Sequence, residues 1–138
     1  MEQKDLRFIP VQKFIHLEGA SYQILSNFKQ LVESGFVNLD NIIFLTVKYD
    51  TQKGIESDAP VKIFLKDNTA IYLNLTAGYS GSGPTDLCSV IKMCFKDMDK
   101  AKISKDILTN RKLVDLTYVK DTENYYQFSC QGEYYYSM

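Results

Sequence analysis

Apolar residues recur along this chain with two different periods, and the switches between them mark out the elements. Over residues 21–34, Ile24, Leu25, Phe28, Leu31 and Val32 fall on one helical face, and Gln23, Asn27, Lys29, Gln30 and Glu33 fill the other. Ser21 is suited to cap this helix, and Gly35 stands where a left-handed glycine ends one. A second helix is predicted from Pro84 to about Met98, with Leu87, Val90, Ile91, Cys94, Phe95 and Met98 as its apolar stripe. Proline suits a first helical position, and Asp86 would then complement the dipole from the first turn.

The strands follow period two. Residues 42–49 are dense in β-branched and aromatic types, with Ile43, Leu45, Val47 and Tyr49 on one face and Ile42 and Phe44 on the other. Residues 61–75 read as a hairpin. Pairing Val61 with Leu75, Ile63 with Leu73 and Leu65 with Ile71 gathers six aliphatics on one face and opposes Phe64 to Tyr72 on the other. That register needs a three-residue loop, Asp67-Asn68-Thr69. A closing hairpin is predicted from 113–119 and 125–130, opposing Val114, Leu116 and Tyr118 to Cys130, Phe128 and Tyr126 across a loop from Lys120 to Asn124. Weak alternation over 6–17, broken by Pro10, suggests an edge strand or two short extended pieces. Residues 50–59 read as a polar loop. In the Lys- and Asp-rich stretch 96–112, Ser104 would cap a short helix burying Ile107 and Leu108.

The resulting order, β-α-β-β-β-α-(α)-β-β, joins most strands by hairpins. It predicts an α+β fold: a mostly antiparallel sheet of about five to six strands with two main helices packed on one face. The 138 residues suit one domain, 1–138, with its own core.

Composition narrows the function classes. A formal net charge of −1 creates no global field toward nucleic acid or anionic lipid, and no specific nucleic-acid signal is present. No apolar run approaches the roughly 20 residues of a membrane span. The N-terminus Met1-Glu2-Gln3-Lys4-Asp5 has no apolar segment behind it, and the three cysteines are sparse, so a cytoplasmic location is expected. Cys88, Cys94 and Cys130 form no metal-ligand spacing, and the one histidine has no partner in sequence. Neither a metal nor a cofactor is therefore expected.

The candidate chemistry lies in Ala77-Gly78-Tyr79-Ser80-Gly81-Ser82-Gly83-Pro84, between the clearest strand and the clearest helix. Its glycine spacing departs from the dinucleotide fingerprint. No Gly-Lys-Ser/Thr follows as in a phosphate-binding loop, and Ser82 replaces the last glycine of a nucleophile elbow. A small-residue loop entering a helix N-terminus still suits an anion. The ligand-binding residues would be Gly78, Tyr79, Ser80, Gly81, Ser82, Gly83 and Thr85, with Tyr79 stacking on a base and the hydroxyls donating. Asp86 would oppose a phosphate. The alternative is a tight turn whose glycines supply positive φ. Lys53, Lys62, Lys66, Arg7 and Arg111 are the cations a phosphate could draw on.

These readings point to a non-enzymatic binding protein for a small nucleotide-like anion, assembling as a homo-oligomer. A protein–protein interaction or inhibitor module is the alternative, using Tyr125, Tyr126, Tyr134, Tyr135 and Tyr136. A third reading, a small serine hydrolase, would pair His16 with Ser80 or Ser82.

Overall fold

The computed structural model describes residues 13–50, 60–109, 113–121 and 124–129. In chain order these form β1 (Lys13–Leu17), α1 (Ser21–Glu33), a 3-10 turn (Leu39–Asn41), β2 (Ile42–Asp50), β3 (Val61–Leu65) and β4 (Thr69–Leu73). They continue as α2 (Ser82–Cys94), α3 (Lys100–Leu108), β5 (Leu113–Asp121) and β6 (Asn124–Ser129). The fold is α+β. One six-stranded sheet has the order β1-β4-β3-β2-β5-β6. Every neighbouring pair is antiparallel except β1 with β4, so the sheet is mixed. The parallel pair follows from β1 taking the edge beyond β4 rather than a hairpin partner, as the chain passes through α1, β2 and β3 in between.

All three helices share one core with one face of the sheet. Ile24 and Phe28 of α1, Leu87, Val90, Ile91 and Cys94 of α2, and Ile103 and Ile107 of α3 pack with the sheet's aliphatics and Tyr118. Burying each large aliphatic side chain there contributes about 1.5–3 kcal/mol. Packing α1 against α2, and α2 against α3, makes a continuous helical layer. The other face carries a row of rings. Phe14 meets Tyr72 edge-on at 4.7 Å, Tyr72 meets Phe64 at 6.4 Å, and Phe64 stacks on Phe44 at 4.7 Å.

Helix ends differ from the predicted caps. The extended residue before α1 is Ala20, not Ser21. Its N–H donates to the Gln23 side chain at 3.1 Å, so glutamine supplies the capping acceptor from inside the helix. Gly35 has φ of 81°, as a glycine terminator should. The short helix α3 is capped by Asp99, whose carboxylate accepts from Ala101 N–H at 3.1 Å. Ser104 lies inside it. The Asp99 side chain reaches the N–H two residues on, and the helix begins five residues earlier than a Ser104 cap would place it. After α2, Lys92 Nζ donates to the carbonyls of Lys96 (2.6 Å) and Met98 (2.7 Å) and holds the turn that leads to Asp99.

Three registers also depart from expectation. In β2 the pairing shifts between Ile42 and Phe44, a bulge that carries Ile42 into the helix-side core and leaves Ile43 and Phe44 on the other face. Between β3 and β4, Val61 pairs with Leu73 and Ile63 with Ile71, two residues from the predicted register. The connection is Lys66-Asp67-Asn68, with φ of 63° at Asn68. Asparagine tolerates that left-handed conformation, and β-branched Thr69 does not. Because the slip is even, the aliphatic face survives it. Phe64 then sits opposite Ala70 and Tyr72 opposite Lys62, and the two rings meet on the diagonal. Between β5 and β6 the slip is a single residue: Leu116 pairs with Ser129, Thr117 with Phe128 and Val119 with Tyr126. The strands run on to Asp121 and Asn124, so two residues connect them instead of the polar loop expected from Lys120.

Candidate functional site

The glycine-rich loop leaves the sheet beyond β4 and turns into α2. Its root is buried: Leu75, Thr76 and Ala77 are all in the interior. Gly78 adopts φ of 91°, and its N–H donates to the carbonyl of Ile107 at 2.7 Å, which pins the loop to the last turn of α3. Tyr79 then folds back over the segment. Its hydroxyl and Thr76 Oγ1 share a hydrogen bond of 2.6 Å, and the edge of its ring lies against Gly81. A Cβ on Gly81 would stand 2.8 Å from Tyr79 Cε2, and one on Gly83 would overlap Thr76 Oγ1. A side chain at Gly81 or Gly83 would therefore force Tyr79 or Thr76 to move. Gly81 is fully extended at φ of −179°, and only Gly78 uses the left-handed region.

The helix begins at Ser82, so Pro84 is its third residue rather than its first. The position remains permissible because the N–H groups of a first turn have no intrahelical acceptor. The first backbone bond closes from Thr85 N–H to Gly81 O at 3.0 Å, and the Thr85 hydroxyl donates to the same carbonyl at 2.7 Å. With the helix starting earlier, Asp86 falls in the second turn, and the first turn carries no acidic residue. Gly81 supplies no capping side chain. The N–H groups of Ser82 and Gly83 thus sit at the positive end of the helix dipole without a side-chain cap. Ser80 and Ser82 are exposed, and Tyr79 keeps 39% of its surface accessible. Tyr49, buried at the end of β2, is held above the ordinary phenol range first by desolvation and then by Tyr79 nearby.

The predicted residues 78–83 and 85 therefore form one continuous turn, with unequal availability. Ser80, Ser82 and the Tyr79 ring face outward, whereas Thr85's hydroxyl is spent on the helix start. Thr76 was not among the predicted residues. Its neighbours, the Tyr79 hydroxyl and the bare Cα of Gly83, come to it only through the fold of the loop, so no spacing in the sequence marks it.

The other candidates lie elsewhere. His16 places Nε2 3.0 Å from Asn74 Oδ1 and Nδ1 3.4 Å from Glu18 Oε1, so the partners at its two ring nitrogens are Asn74 and Glu18 rather than Ser80 or Ser82. Lys62 lies over the Tyr72 ring at 5.0 Å, and Lys66 is exposed in the β3–β4 turn, at the opposite end of β4 from the loop. Lys53, Arg7 and Arg111 fall outside the described residues, as do Tyr134, Tyr135 and Tyr136; Tyr125 and Tyr126 are placed only as positions in β6. Cys94 is buried in the core as predicted, and Cys88, half-buried, packs against the same core. No helix among the described residues is long and apolar enough to cross a membrane.

No family model, no curated protein and no solved structure matches this chain.

Proposed function

We propose that this chain is a non-enzymatic binding protein that takes a small nucleotide-like anion at the mouth of α2. The observation that carries the reading is the bare helix start: Gly81 offers no cap, and the first turn holds no carboxylate. An anion there would accept from the Ser82 and Gly83 N–H groups and from the Ser80 and Ser82 hydroxyls. A planar base would lie on the accessible part of the Tyr79 ring. Asp86, one turn in, sets an upper limit on the charge the site tolerates. The free thiols of Cys88 and Cys94 suit the reducing, cytoplasmic setting that belongs to this reading.

Thermal melts with ATP, AMP and inorganic phosphate test it. A ligand at about a hundred times its Kd stabilises the fold by about 2.7 kcal/mol, enough to shift Tm by several degrees. Ser82→Ala should reduce that shift while leaving the ligand-free melt almost unchanged. If none of the three compounds moves Tm, or if Ser82→Ala leaves the shift intact, the proposal is wrong.

A further inference from the structure

The second feature that calls for a partner is the outer edge of β1, and it is independent of the glycine loop. Lys13 N–H donates inward to Asn68 O at 3.4 Å, and Leu17 O accepts inward from Asn74 N–H at 3.1 Å. In a parallel ladder one residue's N–H and C=O point to the same side, and successive residues alternate. Lys13, Ile15 and Leu17 therefore face β4, and Phe14 and His16 turn their main-chain groups outward. Those four outward groups have no partner among the described residues. Edge strands are commonly blunted by proline, a bulge or an outward lysine. None of these stands among the described residues of this edge: β1 pairs in unbroken register over Lys13–Leu17, and Lys13 is turned onto the Phe36 ring, 4.1 Å from its centroid. Large apolar surface flanks the edge on both sides, with Phe14 52% exposed and Phe36 54% exposed.

We propose that β1 is the seam of a homodimer, pairing antiparallel with β1 of a second copy about a two-fold axis through Ile15. Phe14 of each copy then stands opposite His16 of the other. Each of these two pairs exchanges both main-chain hydrogen bonds, so all four outward groups are satisfied with no register left over. Charge selects the same arrangement. The strand opens with Lys13 and is followed by Glu18, so antiparallel copies set the basic end of one beside the acidic end of the other. Parallel copies would align like charges. The Phe14 ring meets the second copy's imidazole, extending the ring row of the exposed face across the axis. Self-complementarity of this kind is what a closed two-fold contact requires.

Sedimentation velocity from about 1 µM to about 1 mM is the test, since it brackets the Kd range of a short strand seam. The wild type should pass from monomer to dimer and stop there. Phe14→Pro removes an outward N–H without touching the β1–β4 ladder, and Phe14→Lys sets two cations across the axis. Each should raise the dimer Kd about tenfold or more with the melting transition preserved. Hydrogen exchange on the wild type gives a reading free of any folding defect: the Phe14 and His16 amides should slow as concentration rises, and the Lys13 amide should not. A wild type that stays monomeric throughout, or Phe14 and His16 amides indifferent to concentration, overturns the proposal. So does a dimer that survives both substitutions.

Discussion

Gly83 and Thr76 show how one missing carbon sets the shape of the loop. Placing a methyl on Gly83 drives it into Thr76 Oγ1, which must move and give up its 2.6 Å bond to Tyr79. Gly83→Ala should therefore cost about 1–3 kcal/mol of stability, the usual range for forcing a methyl into a packed site. Thr76→Ala should recover part of that loss in the double variant, because it removes the oxygen that is struck. Urea unfolding of the two single variants and the double variant measures the coupling, and strict additivity would mean that the methyl is absorbed elsewhere. The glycine spacing in the sequence marks a tight turn here but suggests the wrong cause for two of its glycines. It reads as a demand for positive φ, which holds for Gly78 alone, while Gly81 answers to the folded-back ring of Tyr79 and Gly83 to Thr76 seven residues before it. Close approach of that kind depends on where Tyr79 folds, and no local pattern encodes it.

At the scale of elements, the bond between Tyr118 and Asp106 ties α3 to the sheet. The fully buried Tyr118 of β5 donates to Asp106 Oδ2 of α3 at 2.8 Å, and Lys102 supports the same oxygen at 3.3 Å from one helical turn away. Tyr118→Phe deletes the donor and leaves a largely buried carboxylate with Lys102 as its remaining partner among the described residues. A loss of about 1.5–3 kcal/mol is expected, as for other hydrogen bonds to charged groups. Denaturant titration of the variant checks it, and an unchanged midpoint would show that Lys102 and solvent suffice for Asp106. The order of elements was legible from the apolar periods alone, since core-facing residues such as Ile24, Phe28, Leu87 and Ile91 repeat at helical spacing. Registers were less so. The Asn68 left-handed turn and the bulge at Ile42 each displace a strand without altering its composition, and the β5–β6 slip comes from a connection only two residues long. Of the candidate site, the sequence located the loop and its outward serines, whereas the helix start, two residues early, was masked by Pro84.

For the whole molecule, burial of weak acids makes stability depend on alkaline pH. Desolvation pushes the Cys88 thiol from 9.0 up to about 11, and it raises Cys94, Tyr118 and Tyr49 as well. Asp106 adds to the rise at Tyr118. Each of these groups is raised in the folded state, so the unfolded chain loses its protons first. Between the two pKa values the unfolded state binds fewer protons, and stability falls as pH rises. The contribution is complete below pH 9 and, for Cys88, is lost as pH climbs through about 11. Melting temperature should hold steady up to that lower limit and fall beyond it, and Cys88→Ala should make the first part of the fall shallower. Melts taken from pH 8 to 11 decide the matter, a flat profile counting against buried, neutral thiols and phenols.

The parallel pairing of β1 with β4 also bears on synthesis. β1 leaves the ribosome ahead of its neighbour in the sheet, because Lys13 must wait for Thr69. The β3–β4 hairpin can close locally, but the β1 contact requires a long loop to close and carries that entropic cost before any ladder bond forms. In the nascent chain, β1 therefore has two open edges instead of one, and Phe14 and Ile15 stay in water while α1 is already complete. Slow translation between β1 and β4 would lengthen that interval, and chaperone capture of the N-terminal strand would shorten the time it is free to aggregate.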